Sequence, residues 1–292
     1  MLHSLENAPL SVHELAPAKV NLLLSVGKKR RDGYHDLVSV MQTVGLYDRL
    51  TLTSDTGEGI ELACRNSGLP TGKGNLAYDA AVKFFSCTGI ENTGVRIDLE
   101  KQLPMQAGLG GGSADAAAVL RGLGRLYAPS LGTAALERMG AALGSDVPFC
   151  VRGGTALVLG RGEHVESLPP LPSCYFVLVK PPLAFSTGNM YGRIDSRGLC
   201  EATSGAEMTA ALERGDLSAV CRLMDNTFER VIDPECEVFA IRRRLTELGA
   251  LGAMLSGSGS AVFGIFKNEA PARLAADTLR AFYPETFCAP SV

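Results

Sequence analysis

Four glycines fall within five positions, Gly108-Leu109-Gly110-Gly111-Gly112, and the alanine-rich stretch after them, running to about residue 127, reads as a helix. No other stretch limits the fold as tightly. Such a loop crowds backbone N–H groups toward one point and delivers them at a helix N-terminus, where the helix dipole adds partial positive charge. The segment Pro104-Met105-Gln106-Ala107-Gly108-Leu109-Gly110-Gly111-Gly112-Ser113-Ala114-Asp115 therefore predicts a phosphate cradle between a strand ending near Leu99 and the helix. A P-loop needs a lysine directly before Ser113. A dinucleotide fingerprint needs Gly or Ala at position 113 and an acid about 20 residues further on at a strand end. Neither pattern is met.

Composition narrows the function classes. A chain of 292 residues buries enough surface for two domains sharing a cleft. Lys+Arg 28 against Asp+Glu 31, with 6% aromatics and no Trp, offers neither the charge nor the stacking platforms that nucleic acid needs. The 8 cysteines include no CxxC pair and have no histidine placed to complete a zinc site, so free thiols in a reducing compartment are expected. Residues 1–14 hold neither a basic cluster nor an apolar run, which predicts a cytoplasmic protein without a targeting segment. Residues 248–266 carry no charge over 19 positions, but Ser256-Gly257-Ser258-Gly259-Ser260 in their middle predicts two short strands and a loop, with no membrane partner.

Residues 20–26, 50–53, 95–99 and 155–159 read as strands. Asn75 can cap a helix ended by Gly89, and Thr133 can cap another, carrying Leu136, Met139 and Leu143 and ended by Gly144. Pro169, Pro170 and Pro172 mark a linker, with a domain on each side: 1–168 and 169–292. A strand at 174–179 follows, then helices over 208–214, 217–231 and one entered by Asp233-Pro234 and ended by Gly249, then the strand pair, a helix over 270–282 and a short terminal strand. Mixed elements without regular βαβ alternation predict an α+β fold.

Lys19 in Ala16-Pro17-Ala18-Lys19-Val20-Asn21 and Asp146 in Gly144-Ser145-Asp146-Val147-Pro148-Phe149 each interrupt apolar surroundings. With these segments, Arg31-Asp32-Gly33-Tyr34-His35, the glycine loop and residues 255–261 resemble the GHMP kinases, the superfamily of galactokinase, homoserine kinase and mevalonate kinase. The resemblance spans about residues 15–267. The superfamily at large shares the glycine loop but not RDGYH, which is similar to the branch whose acceptor is a cytidine diphosphate-linked methylerythritol of isoprenoid precursor synthesis.

The resemblance implies an N-terminal ATP-binding domain, a ferredoxin-like C-terminal domain that closes the cleft, ATP with Mg2+, and a small-molecule acceptor carrying a cytidine diphosphate. It implies ATP contacts from Pro104, Ala107, Gly108, Leu109, Gly110, Gly111, Gly112, Ser113 and Asp115, with Asn75 and Lys101 near adenine. Asn75 is equally well explained as a helix cap. Phosphoryl transfer needs an in-line phosphate and a prepared alcohol, and a carboxylate beside a fixed cation stays ionised to accept the proton. Asp146 and Lys19 fit those catalytic roles; an ordinary buried ion pair is the alternative. Asn21 and Thr187 are implied near the diphosphate and erythritol. The resemblance gives His35 the cytosine edge and has Tyr34 and Tyr191 sandwich the ring, while Ser256 and Gly257 belong to the third glycine-rich motif. Gln106 stands where a small residue is usual and Ala114 where a second serine is frequent, so Ser113 is the remaining hydroxyl and no metal ligand is assigned. The basic run 28–31 is either a solvated turn or an aid to steering a diphosphate. Homoserine or mevalonate kinase activity is the rival reading, which RDGYH disfavours because those substrates carry no base. A non-catalytic RNA-binding protein is the other, which an isoelectric point near 5.9 disfavours.

Overall fold

The computed structural model describes residues 10–54, 56–65, 68–199 and 203–292. Cys200 and residues 1–9 lie outside them. Two long strands, β1 (Ser11–Lys29) and β2 (His35–Ser54), form an antiparallel ribbon that organises the N-terminal half. The expected strands at 20–26 and 50–53 are fragments of it. Sequence alternation obscured the rest, because residues 18–27 of β1 are buried on both faces, its polar residues Lys19, Asn21 and Ser25 included.

After these come β3 (Ile60–Arg65), α1 (Leu76–Thr88), β4 (Val95–Glu100), α2 (Gly111–Tyr127), α3 (Thr133–Ala141), α4 (Val147–Arg152), β5 (Thr155–Gly160) and β6 (His164–Ser167). β4 pairs with the C-terminal half of β2 and β5 with its N-terminal half, while β3 runs parallel to β4. Asn75 caps α1, its Oδ1 accepting from Ala77 N–H, and Gly89 ends it in the left-handed conformation. α3 departs from expectation: Gly132 occupies the cap, Thr133 is the first helical residue, and the helix ends at Ala141, short of Gly144.

The second half comprises β7 (Tyr175–Val179), α5 (Thr187–Arg197), α6 (Ala206–Glu213), α7 (Leu217–Arg222), β8 (Asp225–Asn226), a single 3-10 turn (Thr227–Val231), α8 (Glu237–Glu247), β9 (Gly252–Leu255), β10 (Val262–Phe266), α9 (Glu269–Arg280) and β11 (Thr286–Pro290). The helix expected over 217–231 is broken by β8, which leaves the second sheet's neighbourhood to pair in parallel with Leu23 and Leu24 of β1. That pairing withdraws the backbone from helical hydrogen bonding. α8 begins at Glu237, three residues after Pro234, and α5 was not anticipated at all.

Three cores stack the layers. α1 to α4 cover one face of the first sheet, where Leu52, Phe84, Ile97, Leu99 and the alanines of α2 meet. Small side chains let α2 lie close: a Cβ on Gly122 would fall 2.7 Å from Leu52 Cδ1. Ala18, Val20 and Leu22 of β1 form a middle core with Phe176, Leu178, Met254 and Phe263 of the second sheet, ordered β11-β7-β10-β9 and antiparallel throughout. The third core buries that sheet's other face under α8 and α9. Alternation along β1 thus sends 18, 20 and 22 into the middle core and leaves Lys19 and Asn21 on the opposite side.

Burial pushes the Cys150 and Cys221 thiols up to about 12 and Cys174 up to about 11, which makes them inert. Among the described residues no helix is long and apolar enough to cross a membrane.

Candidate active site

Lys19 Nζ donates to Asn21 Oδ1 at 2.8 Å and lies 3.1 Å from Asp146 Oδ2. Asn21 Nδ2 in turn donates to Ser39 Oγ on β2 at 2.9 Å, and Ser39 Oγ to Leu23 O at 2.7 Å. The cation is therefore held from behind by a saturated chain, with its side chain 4% exposed, whereas the Asp146 side chain is 30% exposed and opens outward. Asp146 occupies the cap position of α4 but makes no capping bond, so its carboxylate remains available to Lys19.

The glycine loop is pinned on two sides. Lys19 N–H donates to Leu109 O at 3.0 Å, and from the other half of the chain Ala261 N–H donates to Ala107 O at 3.0 Å and Ser256 Oγ to Gly108 O at 3.0 Å. Gly108 must lack a side chain because a Cβ would stand 2.1 Å from Ser256 O, and Gly110 because a Cβ would stand 2.8 Å from Lys19 Cγ. Asn226 of β8 braces the Ser256–Ser260 loop, its Nδ2 donating to Leu255 O at 3.0 Å and to Gly257 O at 2.9 Å.

These elements wall a cleft of about 870 Å³. Among the expected site residues Lys19, Asn21, Tyr34, His35, Gly108, Gly110, Ser113, Asp146, Thr187, Tyr191 and Gly257 line it. Pro104, Ala107, Leu109 and Ser256 are buried behind that wall as the loop's own support, while Gly111, half-buried, and Gly112, exposed, lie outside it. Asn75 and Lys101 do not line the cleft either. Asn75 is spent on capping α1 and on donating to Pro70 O at 2.8 Å.

Lys101 sits under the start of α2, buried between Asp48 and Asp115, with Asp115 Oδ2 at 2.7 Å. Asp48 also accepts N–H bonds from Gln102 and Leu103, which fixes the approach to the loop. Burial would lower the Lys101 ammonium, but Asp115 and Asp48 together raise it. Burial pushes the Asp115 carboxyl up to about 7, the Lys101 charge opposing that rise, and its Oδ1 is the one buried side-chain polar atom without a partner among the described residues. A carboxyl raised in the folded state contributes stability that is present below its unfolded value near 3.9 and is lost as pH rises to about 7. Asp115→Asn removes that loss. The urea-midpoint stability of Asp115→Asn relative to the parent is expected to grow between pH 4 and 7, by no more than about 1.4 kcal/mol per pH unit, then level off. A pH-independent difference would refute the assignment.

At the far end of the cleft the two tyrosines expected to flank the base have partners of their own. Tyr191 stacks on His35, with centroids 4.9 Å apart and planes 19° from parallel, and meets Phe228 edge-on at 5.0 Å. Tyr34, 53% exposed, carries the Arg161 guanidinium 4.9 Å from its ring centre. His35 and Tyr191 meet because Asp195 of α5 binds His35 Nε2 at 2.6 Å through Oδ1, and Lys29 Nζ at 2.8 Å through Oδ2. Hydrogen bonds from Lys29 and His35 hold the Asp195 carboxyl below the usual carboxylate range. Burial pushes the Tyr191 phenol up to about 12.

Asp195, Arg161, Asp48 and Asn226 escaped the sequence reading, and Lys29 was read only as part of the basic run 28–31. Only Asp195 left a signal there, four residues after Tyr191 and so on one face of a helix had 187–197 been read as helical.

Family models for the GHMP kinases N terminal domain and the GHMP kinases C terminal match residues 75–154 and 208–285. A Moorella thermoacetica protein named 4-diphosphocytidyl-2-C-methyl-D-erythritol kinase is 46% identical over 277 residues, covering 93% of this chain and 95% of its own. Its namesake from Exiguobacterium sibiricum is 43% identical over 273 residues, with coverages of 93% and 95%. A crystal structure of 4-(cytidine 5'-diphospho)-2C-methyl-D-erythritol kinase superposes with a TM-score of 0.80 at 36% identity, covering 96% of this chain and 99% of that one. L. major mevalonate kinase in complex with R-mevalonate reaches 0.77 at 18% identity over 98% and 97%, a likeness of fold. Two matched domains covering more than half the chain and near full-length relatives above 40% identity, set beside the pinned glycine loop, place this chain in the GHMP kinase family as a kinase.

Proposed function

We propose that the protein transfers the γ-phosphoryl group of ATP to a hydroxyl of 4-diphosphocytidyl-2-C-methyl-D-erythritol, a step of isoprenoid precursor synthesis. One observation carries the reading: a single cleft joins the Lys19–Asp146 pair at the glycine loop to an aromatic recess formed by Tyr34, His35 and Tyr191. A kinase whose acceptor lacks a base has no use for the second end. The names of the relatives agree with it.

In this reading the N–H groups of residues 108–113 and the α2 N-terminus hold the phosphates. Lys19 orients the acceptor hydroxyl, an Asp146 oxygen takes its proton, and the hydroxyl oxygen attacks the γ-phosphorus as the bond to the departing ADP breaks. Asn21, through its bond to Lys19, keeps the ammonium aimed at Asp146. Thr187, joined to Ser258 at 2.8 Å, ties the substrate side of the cleft to the third glycine-rich loop. Ser113, at the first turn of α2 and facing the cleft, is the side-chain oxygen that would hold a Mg2+ accompanying ATP, a cation that would neutralise phosphate charge there. Strand order β11-β7-β10-β9 and the succession β7, helices, β9, β10, α9, β11 support reading 169–292 as a ferredoxin-like unit and 1–168 as the ATP-binding one.

The test is ADP release, coupled to an optical readout, over a panel of the cytidine diphosphate-linked alcohol, free methylerythritol phosphate, mevalonate and homoserine. Turnover confined to the cytidine compound is the expected result. Equal turnover with mevalonate or homoserine would overturn the substrate assignment.

A further inference from the structure

Resting on the reading that the aromatic recess receives cytosine, we propose that Asp195, backed by Lys29, is a positioning residue that fixes the tautomer of His35 and so makes the cleft select an amino-bearing pyrimidine over a carbonyl-bearing one.

Asp195 Oδ1 lies 2.6 Å from His35 Nε2, and an ionised carboxylate offers only lone pairs. The hydrogen of the neutral imidazole therefore sits on Nε2, which leaves Nδ1 as an acceptor. Lys29 on the second carboxylate oxygen at 2.8 Å keeps that oxygen from competing for the ring and keeps Asp195 charged. The His35 side chain is 3% exposed and lies flat against Tyr191, so the ring cannot turn over to exchange its nitrogens without breaking both contacts. Nδ1 has no partner among the described residues and is not among their enclosed unpartnered atoms, while His35 lines the cleft. It is the nitrogen left for a ligand.

Cytosine presents an N–H donor at its C4 position, where uracil presents a carbonyl acceptor. An acceptor held at Nδ1 bonds the first and repels the second, and a mismatched polar group in a recess of this kind is discriminated against strongly. A purely structural role for the Asp195–His35 bond, docking α5 onto the start of β2, would affect both pyrimidines alike.

The experiment measures kcat/KM for the cytidine and uridine forms of the diphosphate-linked alcohol in the parent, Asp195→Asn and Asp195→Ala. Asn can donate to an unprotonated Nε2, moving the hydrogen to Nδ1 and turning that nitrogen into a donor suited to uracil. The cytidine-to-uridine ratio is expected to fall at least about tenfold in Asp195→Asn, with uridine turnover itself rising. Asp195→Ala, which imposes neither tautomer, should fall between. A ratio unchanged in both variants, with kcat/KM lowered equally for the two substrates, would overturn the inference and leave a docking contact. A parent enzyme that does not distinguish cytidine from uridine would instead overturn the base-reading assignment on which it rests.

Discussion

Asp146→Asn is expected to bind ATP and the cytidine compound as tightly as the parent while losing a factor of roughly 100 to 10,000 in kcat, the range for a lost general base. The geometry explains why binding should survive. The Asp146 side chain makes no cap bond to α4, so the amide replaces it without unravelling the helix. Lys19 retains Asn21 Oδ1 at 2.8 Å, which lessens the cost of leaving a buried cation without its carboxylate. What disappears is the proton acceptor. Lys19→Met should produce a loss of similar order, and the double variant should cost little more than either alone, because a base and the cation that orients its substrate act as one unit. Turnover within a few-fold of the parent in a folded Asp146→Asn protein, or losses that multiply in the double variant, would show that the pair is only a structural salt bridge.

Gly110→Val should impair the nucleotide side of the reaction by at least about 100-fold in kcat/KM for ATP, since a displacement of about 1 Å at a positioning loop can cost that much. Gly110 has φ of 73°, where a β-branched side chain is strained, and its Cβ would press on Lys19 Cγ at 2.8 Å. On the proposed function two consequences combine: the N–H groups at the start of α2 move away from where the phosphates would bind, and the Lys19 ammonium is pushed from Asp146. The recess around Tyr34 and His35 lies at the other end of the cleft, so calorimetric affinity for the cytidine compound should change by less than a few-fold. Equal weakening of both ligands would mean that the loop is a turn that supports the whole cleft, not a phosphate cradle.

Much of the fold was legible wherever the governing interaction is local. Asn75 and Gly89 bound α1 as read, because a cap bond spans two residues and a left-handed glycine closes its own helix. Gly108 to Gly112 announced a loop before a helix for the same reason, and Ser256 to Ser260 split an uncharged run into β9 and β10. The errors also have local causes. Thr133 and Gly132 are both acceptable at a cap, and nothing in residues 217–231 marks the point where β1 captures Asp225 and Asn226 from what would otherwise continue as helix.

The sequence by itself determined the glycine loop before α2, the boundaries of the helices with strong caps, and, through Lys19, Asp146 and the RDGYH segment, which residue types the cleft holds. Tertiary structure alone decided which of them meet. Lys19 and Asp146 come within 3.1 Å because β1 and the start of α4 flank the same glycine loop. Asp195 reaches His35 across 160 positions, and Lys101 finds Asp48 across 53. Capping and periodicity act over one or two turns of chain and leave a pattern in neighbouring letters. An ion pair or a histidine tautomer depends on side chains brought together by burial of three apolar cores, and that juxtaposition has no local signature.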